Sequence, residues 1–169
     1  MIARICLAAA AALSLTAAAA VPAFAQDGEA FIDYQSGDTE MNAAIAEARR
    51  TLPVFFTRLS AGEPNGGEML KVALPASNGG REHIWVQGVT VTPEGYAGRL
   101  YNHPRRLPGM VQGSPVLFEA NQISDWTYVR HDRMWGNYTG RAMLDDLPPE
   151  DARRMRDYLS DTPLEPASD

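Results

Sequence analysis

The run Glu82-His83-Ile84-Trp85-Val86-Gln87-Gly88-Val89-Thr90-Val91 is the longest strand-like stretch in the chain. Its β-branched and aromatic residues favour a pleated, packed surface over a helix. Apolar residues fall on both parities, with Trp85, Val89 and Val91 on one and Ile84 and Val86 on the other. That pattern predicts an interior strand covered on both faces. Pro93 presets φ for the first corner of a type I turn and Gly95 accepts a left-handed backbone, so residues 96–102 are expected to return antiparallel as a hairpin.

The N-terminus predicts export. Arg4 precedes an Ala/Leu-rich run over residues 5–20, and Ala23-Phe24-Ala25 supplies the small residues of a cleavage site, so residues 1–25 read as a secretory signal peptide cut after Ala25. A retained membrane anchor is the competing reading, but the alanine richness and the cleavage site count against it, and no stable membrane span is expected after cleavage. The expected mature protein is periplasmic or secreted. Removing 25 of 169 residues leaves 144, enough for one domain with its own core. The whole chain carries a net charge of −6, and the removed piece takes one arginine and no acid with it. Nucleic acid is therefore a poor partner, because phosphate neutralisation needs a basic face. The single cysteine, Cys6, leaves with the signal, which excludes a disulfide, a thiolate zinc site or a cysteine nucleophile from the mature chain.

Residues 26–37 are polar and aperiodic and read as a flexible lead-in. From Asp38 or Thr39, either of which can cap a helix, apolar residues Met41, Ala44, Ile45, Ala48 and Leu52 recur at helical spacing. Pro53 is expected to kink or restart that helix, with Phe55, Phe56 and Leu59 as a second stripe ending at Gly62. Strands are predicted over residues 69–74, 116–118, 123–130 and 134–141, with His131-Asp132 turning between the last two. A helix over residues 149–160 buries Ala152, Met155 and Leu159, and residues 161–169 read as a disordered acidic tail. Helices first and then many short strands predict one α+β domain over residues 38–160. In it, N-terminal helices and a C-terminal helix pack on a bent, mostly antiparallel sheet of five or six strands.

Several separated motifs occur in one order: Met41-Asn42-Ala43-Ala44-Ile45-Ala46-Glu47-Ala48-Arg49, Lys71-Val72, Glu82-His83-Ile84-Trp85-Val86, Gly98-x-Leu100-x-Asn102-x-Pro104, Ile123-Ser124-Asp125-Trp126 and Gly136-Asn137-Tyr138-Thr139-Gly140-Arg141. Together they resemble the bacterial family known as domain of unknown function 2314, from about Asp38 to Leu147. The resemblance implies no activity, substrate or catalytic residue. Its members include short exported proteins and domains attached to ankyrin repeats, which implies a module reused for recognition. The chain departs from the family at Asp132-Arg133, where relatives tend to carry glycine after the aspartate, so the turn type is open at that point.

His83, His103 and His131 are the only histidines, and with Glu82, Asp125 and Asp132 they are the candidates for a metal site or an acid–base pair. Successive strand residues point to opposite faces, so Glu82 and His83 cannot converge from one strand, and no helical His-x-x-x-His spacing occurs. No metal and no cofactor is expected. A histidine hydrogen-bonded beside Trp85 in or near the core is the competing reading of His83. Asp125 beside Trp126 suits either a carboxyl of raised pKa or a carboxylate holding backbone amides. Asn102, Tyr138 and Arg141, with Thr139, are polar residues near strand ends that suit an anion or a peptide, while Arg141 can equally pair with Asp125 or Glu82. No Gly-x-Ser-x-Gly elbow, Ser-x-x-Lys pair or phosphate loop is present. The favoured expectation is an exported, non-enzymatic module that binds another envelope protein or component. One alternative is a small hydrolase or lyase using His83 with Asp125 or Glu82; another is an inhibitor or immunity-type partner of an exported toxin.

Overall fold

Asp38 starts the first helix: its side chain accepts a hydrogen bond from the Met41 amide at 2.9 Å and satisfies one of the donors that a helix start leaves open. The computed structural model describes residues 38–64 and 66–165. The expected signal peptide (1–25), the lead-in (26–37) and residues 166–169 lie outside the described residues. Helix α1 spans Thr39–Ser60 without a restart, although Pro53 lies inside it. A mid-helix proline costs about 3 kcal/mol or more through its missing N–H and the clash of its ring. Packing offsets that cost, because Phe55 stands 5.9 Å from Trp126 and 6.5 Å from Tyr128, and Phe56 stacks on Tyr96 at 5.6 Å. The helix ends as expected, with Gly62 left-handed at φ 66° just past its cap.

Strands β1 (Met69–Pro75), β2 (Arg81–Thr92), β3 (Gly95–Leu100), β4 (Pro115–Phe118), β5 (Ile123–Arg130) and β6 (Arg133–Gly136) form one sheet in the order β4-β3-β2-β1-β5-β6. Every pairing between these strands is antiparallel. The α+β expectation is borne out, with six strands and with α1 and two C-terminal helices packed on them. The residues under α1 follow from the register: Leu70 pairs with both Val86 and Trp126, and Val72 with both Ile84 and Ile123. With Ala48, Phe55, Leu100, Phe118 and Tyr128 they form the main core. On the opposite face Met69, Trp85 and Tyr101 make a smaller buried cluster.

Two bulges change what parity alone predicts. In β2 the register slips between Gln87 and Thr90, where Gly88 takes φ 61°; an extra residue re-aims everything after it. Val91 thereby shares a face with Tyr96 and Phe118 rather than with Trp85, yet lies at the sheet's end and is 78% exposed. Cover on both faces holds for Ile84, Trp85 and Val86 and is lost beyond them. In β5 the slip falls between Asp125 and Ile123, leaving Ser124 without a partner residue on β1.

The predicted last strand stops short. β6 ends at Gly136, whose φ of 72° is followed by φ 52° at Asn137, and two left-handed residues in a row cannot continue a strand. A Cβ at Gly136 would also collide with the Trp126 carbonyl and indole. Residues 138–141 therefore belong to helix α2, Tyr138–Ala142. The β5–β6 turn is settled by His131 and Asp132, at φ 53° and 57°, the pair of positive values a two-residue type I′ hairpin needs. Helix α3, Pro149–Tyr158, is followed by a parallel bridge between Leu159 and Met134. The described part of the expected disordered tail is packed instead: the Gly136 amide donates to the Pro163 carbonyl at 2.9 Å, Leu164 joins the core, and Glu165 pairs with Arg130 at 2.5 Å.

Trp126 is fully buried, stacks on Tyr128 at 5.7 Å, and donates its indole N–H to the Ala48 carbonyl and the Thr51 hydroxyl, both at 3.1 Å. Trp126→Ala is expected to lower unfolding free energy by about 3–5 kcal/mol in urea titration followed by circular dichroism. A loss under about 1 kcal/mol would place the core elsewhere.

Candidate functional site

Asp125 lies beneath α2 and is wholly buried. Its Oδ1 accepts from the amides of Trp126 at 2.8 Å and Tyr138 at 3.1 Å, and its Oδ2 accepts from the Thr139 amide at 2.7 Å and hydroxyl at 2.6 Å. Lys71, paired with Asp125 across β1 and β5, donates to the Thr139 hydroxyl at 3.0 Å while its ammonium stands 4.7 Å over the Trp85 ring. Burial pushes the Asp125 carboxyl up, and Lys71 with the surrounding donors pulls it back. Every one of these partners donates, so the arrangement suits a carboxylate. It is the brace that starts α2, and it has no face open to a substrate.

The other sequence-predicted residues are braces as well. Glu82 faces the core, opposite to His83 as strand geometry requires, and is 1% exposed. Its two oxygens accept from the amides of Arg105 at 2.8 Å and Arg106 at 2.6 Å, fixing the loop that follows β3. Asn102 Oδ1 accepts from the Trp85 amide at 3.4 Å. Arg141 donates to the Gly136 carbonyl and to the carbonyl and hydroxyl of Ser160, all at 2.9 Å, so it joins α2 to the segment after α3. Tyr138 is buried edge-on against Trp126 with its phenol pushed up by burial. The structure does not gather Asn102, Tyr138 and Arg141 around one opening. Among the described residues, no three His, Cys, Asp or Glu side chains converge as metal ligands would.

Of the proposed acid–base set His83, Asp125 and Glu82, only His83 is exposed; His103, His131 and Asp132 are exposed as well. Its hydrogen bond runs to neither Asp125 nor Glu82: Nδ1 meets the Ser124 hydroxyl at 2.9 Å, and that hydroxyl also reaches the Lys71 carbonyl at 3.2 Å. Sequence reasoning missed Ser124, because its position depends on the β5 bulge. The pair has the composition of a nucleophile and its base, but Ser124 is wholly buried and cannot meet a substrate. The His83 pKa is lowered to about 4, first by burial of the side turned onto the strand and then by the positive charges of Lys71, Arg49 and Arg81.

A second region is bare. On the face away from α1, the bulged half of β2 with β3 and β4 presents Gln87, Thr90, Arg99 and Leu117, all exposed. Leu117 is 70% exposed on an edge strand, and Val111, 63% exposed, lies on the loop that Arg99 holds through the Gly113 carbonyl at 3.1 Å.

The family model described as "Uncharacterized protein conserved in bacteria (DUF2314)" matches residues 38–159. The chain is 29% identical over 120 residues to "Uncharacterized protein YegJ" of Escherichia coli K12, covering 70% of this chain and 76% of that one. It is 26% identical over 133 residues to "Putative ankyrin repeat protein NMB1133/NMB1171" of Neisseria meningitidis serogroup B, covering 73% of this chain and 53%, about half, of that one. No solved structure gives a significant match. No helix among the described residues is long and apolar enough to cross a membrane.

Asp125→Asn puts an N–H₂ among groups that all donate, and is expected to cost about 3–5 kcal/mol by urea titration. Thr139→Val, which removes one donor, should cost about 1–3 kcal/mol. A neutral Asp125→Asn would show that the carboxylate is not the brace. The His83 imidazole should titrate by NMR near pH 4. With the folded pKa below the ordinary 6.5, the unfolded chain takes the proton first. The stabilising contribution is therefore whole above about pH 6.5 and is lost as pH falls toward 4. His83→Gln should flatten that part of the stability profile, and a wild-type midpoint near 6.5 would contradict it.

Proposed function

We propose, from the premise that the chain belongs to the bacterial family of domain of unknown function 2314, that it is an exported, non-enzymatic module that binds another protein of the cell envelope. Its contact surface is the bare face of β2, β3 and β4. The observation that carries this reading is the contrast between two parts of the sheet. Glu82, Asp125 and Arg141 spend their hydrogen-bonding groups on backbone, hydroxyl and loop partners inside the fold. Leu117 and Val111 meanwhile stand exposed beside a fixed arginine. An apolar anchor ringed by polar groups is the usual make-up of an interface centre. A relative named as a putative ankyrin repeat protein supports recognition as the shared role. Export rests on the signal-like residues 1–25.

The test is affinity capture from envelope extract with the full chain and the Leu117→Asp/Val111→Asp variant. Both positions are exposed, so the double variant should keep the wild-type melting temperature and lose the captured protein by about tenfold or more. Arg153→Glu, on the exposed side of α3, should capture as the wild type does. Undiminished capture by the double variant would remove this face from consideration.

A further inference from the structure

Three basic side chains are pinned to one patch of the sheet, where the end of β1 meets the starts of β2 and β5. Arg49 reaches over from α1 and donates through Nε to the Ile123 carbonyl at 2.8 Å and through a terminal nitrogen to the Asn121 carbonyl at 3.0 Å. Arg81 opens β2 and donates to the Ala73 carbonyl at 3.0 Å. Ala73 is the residue opposite His83, and Ser124, which holds His83 Nδ1, follows Ile123. The anchors of all three thus fall on neighbouring positions of β1 and at the start of β5.

Arg49, Arg81 and His83 are exposed, and among the described residues the two arginines have no carboxylate partner. Arg50, Arg58, Arg130 and the α3 arginines do have one. Lys71 adds its charge from beneath, with its ammonium engaged by Thr139 and the Trp85 ring. A guanidinium has five N–H donors in a fixed fork. The carbonyls take two from Arg49 and one from Arg81, which fixes each group while leaving several donors over. Nε2 of His83 is the third polar group of the patch.

We infer that Arg49, Arg81 and His83 form a binding site for a phosphate-type oxyanion. Two fixed guanidiniums match a dianion, and a phosphate has enough oxygens to meet both and the imidazole, whereas a carboxylate fills one fork. The depressed imidazole agrees with the geometry: Lys71, Arg49 and Arg81 all act on it, and among the described residues the two arginines have no carboxylate partner, so an arriving anion relieves the repulsion and raises its pKa. The site stands apart from the bare face of β2–β4 and does not depend on it.

The test is an NMR titration of the full chain with inorganic phosphate, with ionic strength held constant by sodium chloride and with acetate in a parallel series. Phosphate should produce saturable shifts centred on residues 49, 81, 83 and 124 and move the His83 midpoint upward from about 4. Arg49→Gln/Arg81→Gln should keep its amide dispersion and weaken phosphate binding about tenfold or more. Leu117→Asp/Val111→Asp should bind phosphate as the wild type does, separating this site from the interface. Shifts that do not saturate, that acetate reproduces at equal strength, or that survive in the double arginine variant would overturn the assignment.

Discussion

A carboxylate taken wholly out of water has to be met by donors, and at Asp125 those donors arrive from chain that is distant in sequence: the amides of Tyr138 and Thr139 and the Thr139 hydroxyl. This requirement fixes where the sheet ends. β6 cannot run on past Gly136, because the next amides are drawn down onto β5 to meet the charge. The turn of backbone that brings them there becomes the first turn of α2. Lys71 follows by the same logic: its ammonium is held by Thr139 and by the Trp85 face within reach of the carboxylate it helps to balance. The adjacent Trp126 points to the other side of β5, where its indole N–H holds α1. Two consecutive residues thus tie α2 and α1 to the same strand.

What the sequence makes legible is the part governed by local physics. The cap at Asp38, the left-handed Gly62, the central β2–β3 hairpin and the α+β class all follow from residue type and period. What it hides is decided by partners far along the chain. Pro53 has the local signature of a break, and only the Phe55 and Phe56 contacts across to β5 and β3 show why the helix passes through it. Residues 138–141 look like more of a strand because their cap is Asp125, 13 positions earlier than Tyr138. Among the site candidates, the opposition of Glu82 and His83 is readable from strand geometry. The role of Ser124 is not, because a bulge must first place it.

The two bulges do opposite work on the same sheet. The one in β5 sets Ser124 and Asp125 side by side, so that one steadies His83 and the other receives α2. The one in β2, at Gly88, ends the doubly covered stretch: before it Ile84, Trp85 and Val86 are buried from both sides, and after it the strand has cover on one side at most. Gly98 opposite allows the close approach, since a Cβ there would press into Val86. The sheet thus has one end covered on both faces and the other bare on one.

Charge is sorted along the same division. The carboxylates of Glu82 and Asp125 are turned inward and spent on amides, which removes their negative charge from the surface where β1, β2 and β5 meet. Arg49 and Arg81 are held by carbonyl oxygens, which take up N–H groups without cancelling a full positive charge. A chain of net charge −6 therefore keeps a positive corner at its most tightly braced point. The imidazole caught in that corner is held neutral over most of the physiological range. Bracing and field have one origin there, because the hydrogen bonds that make the strands rigid also decide which charges face water.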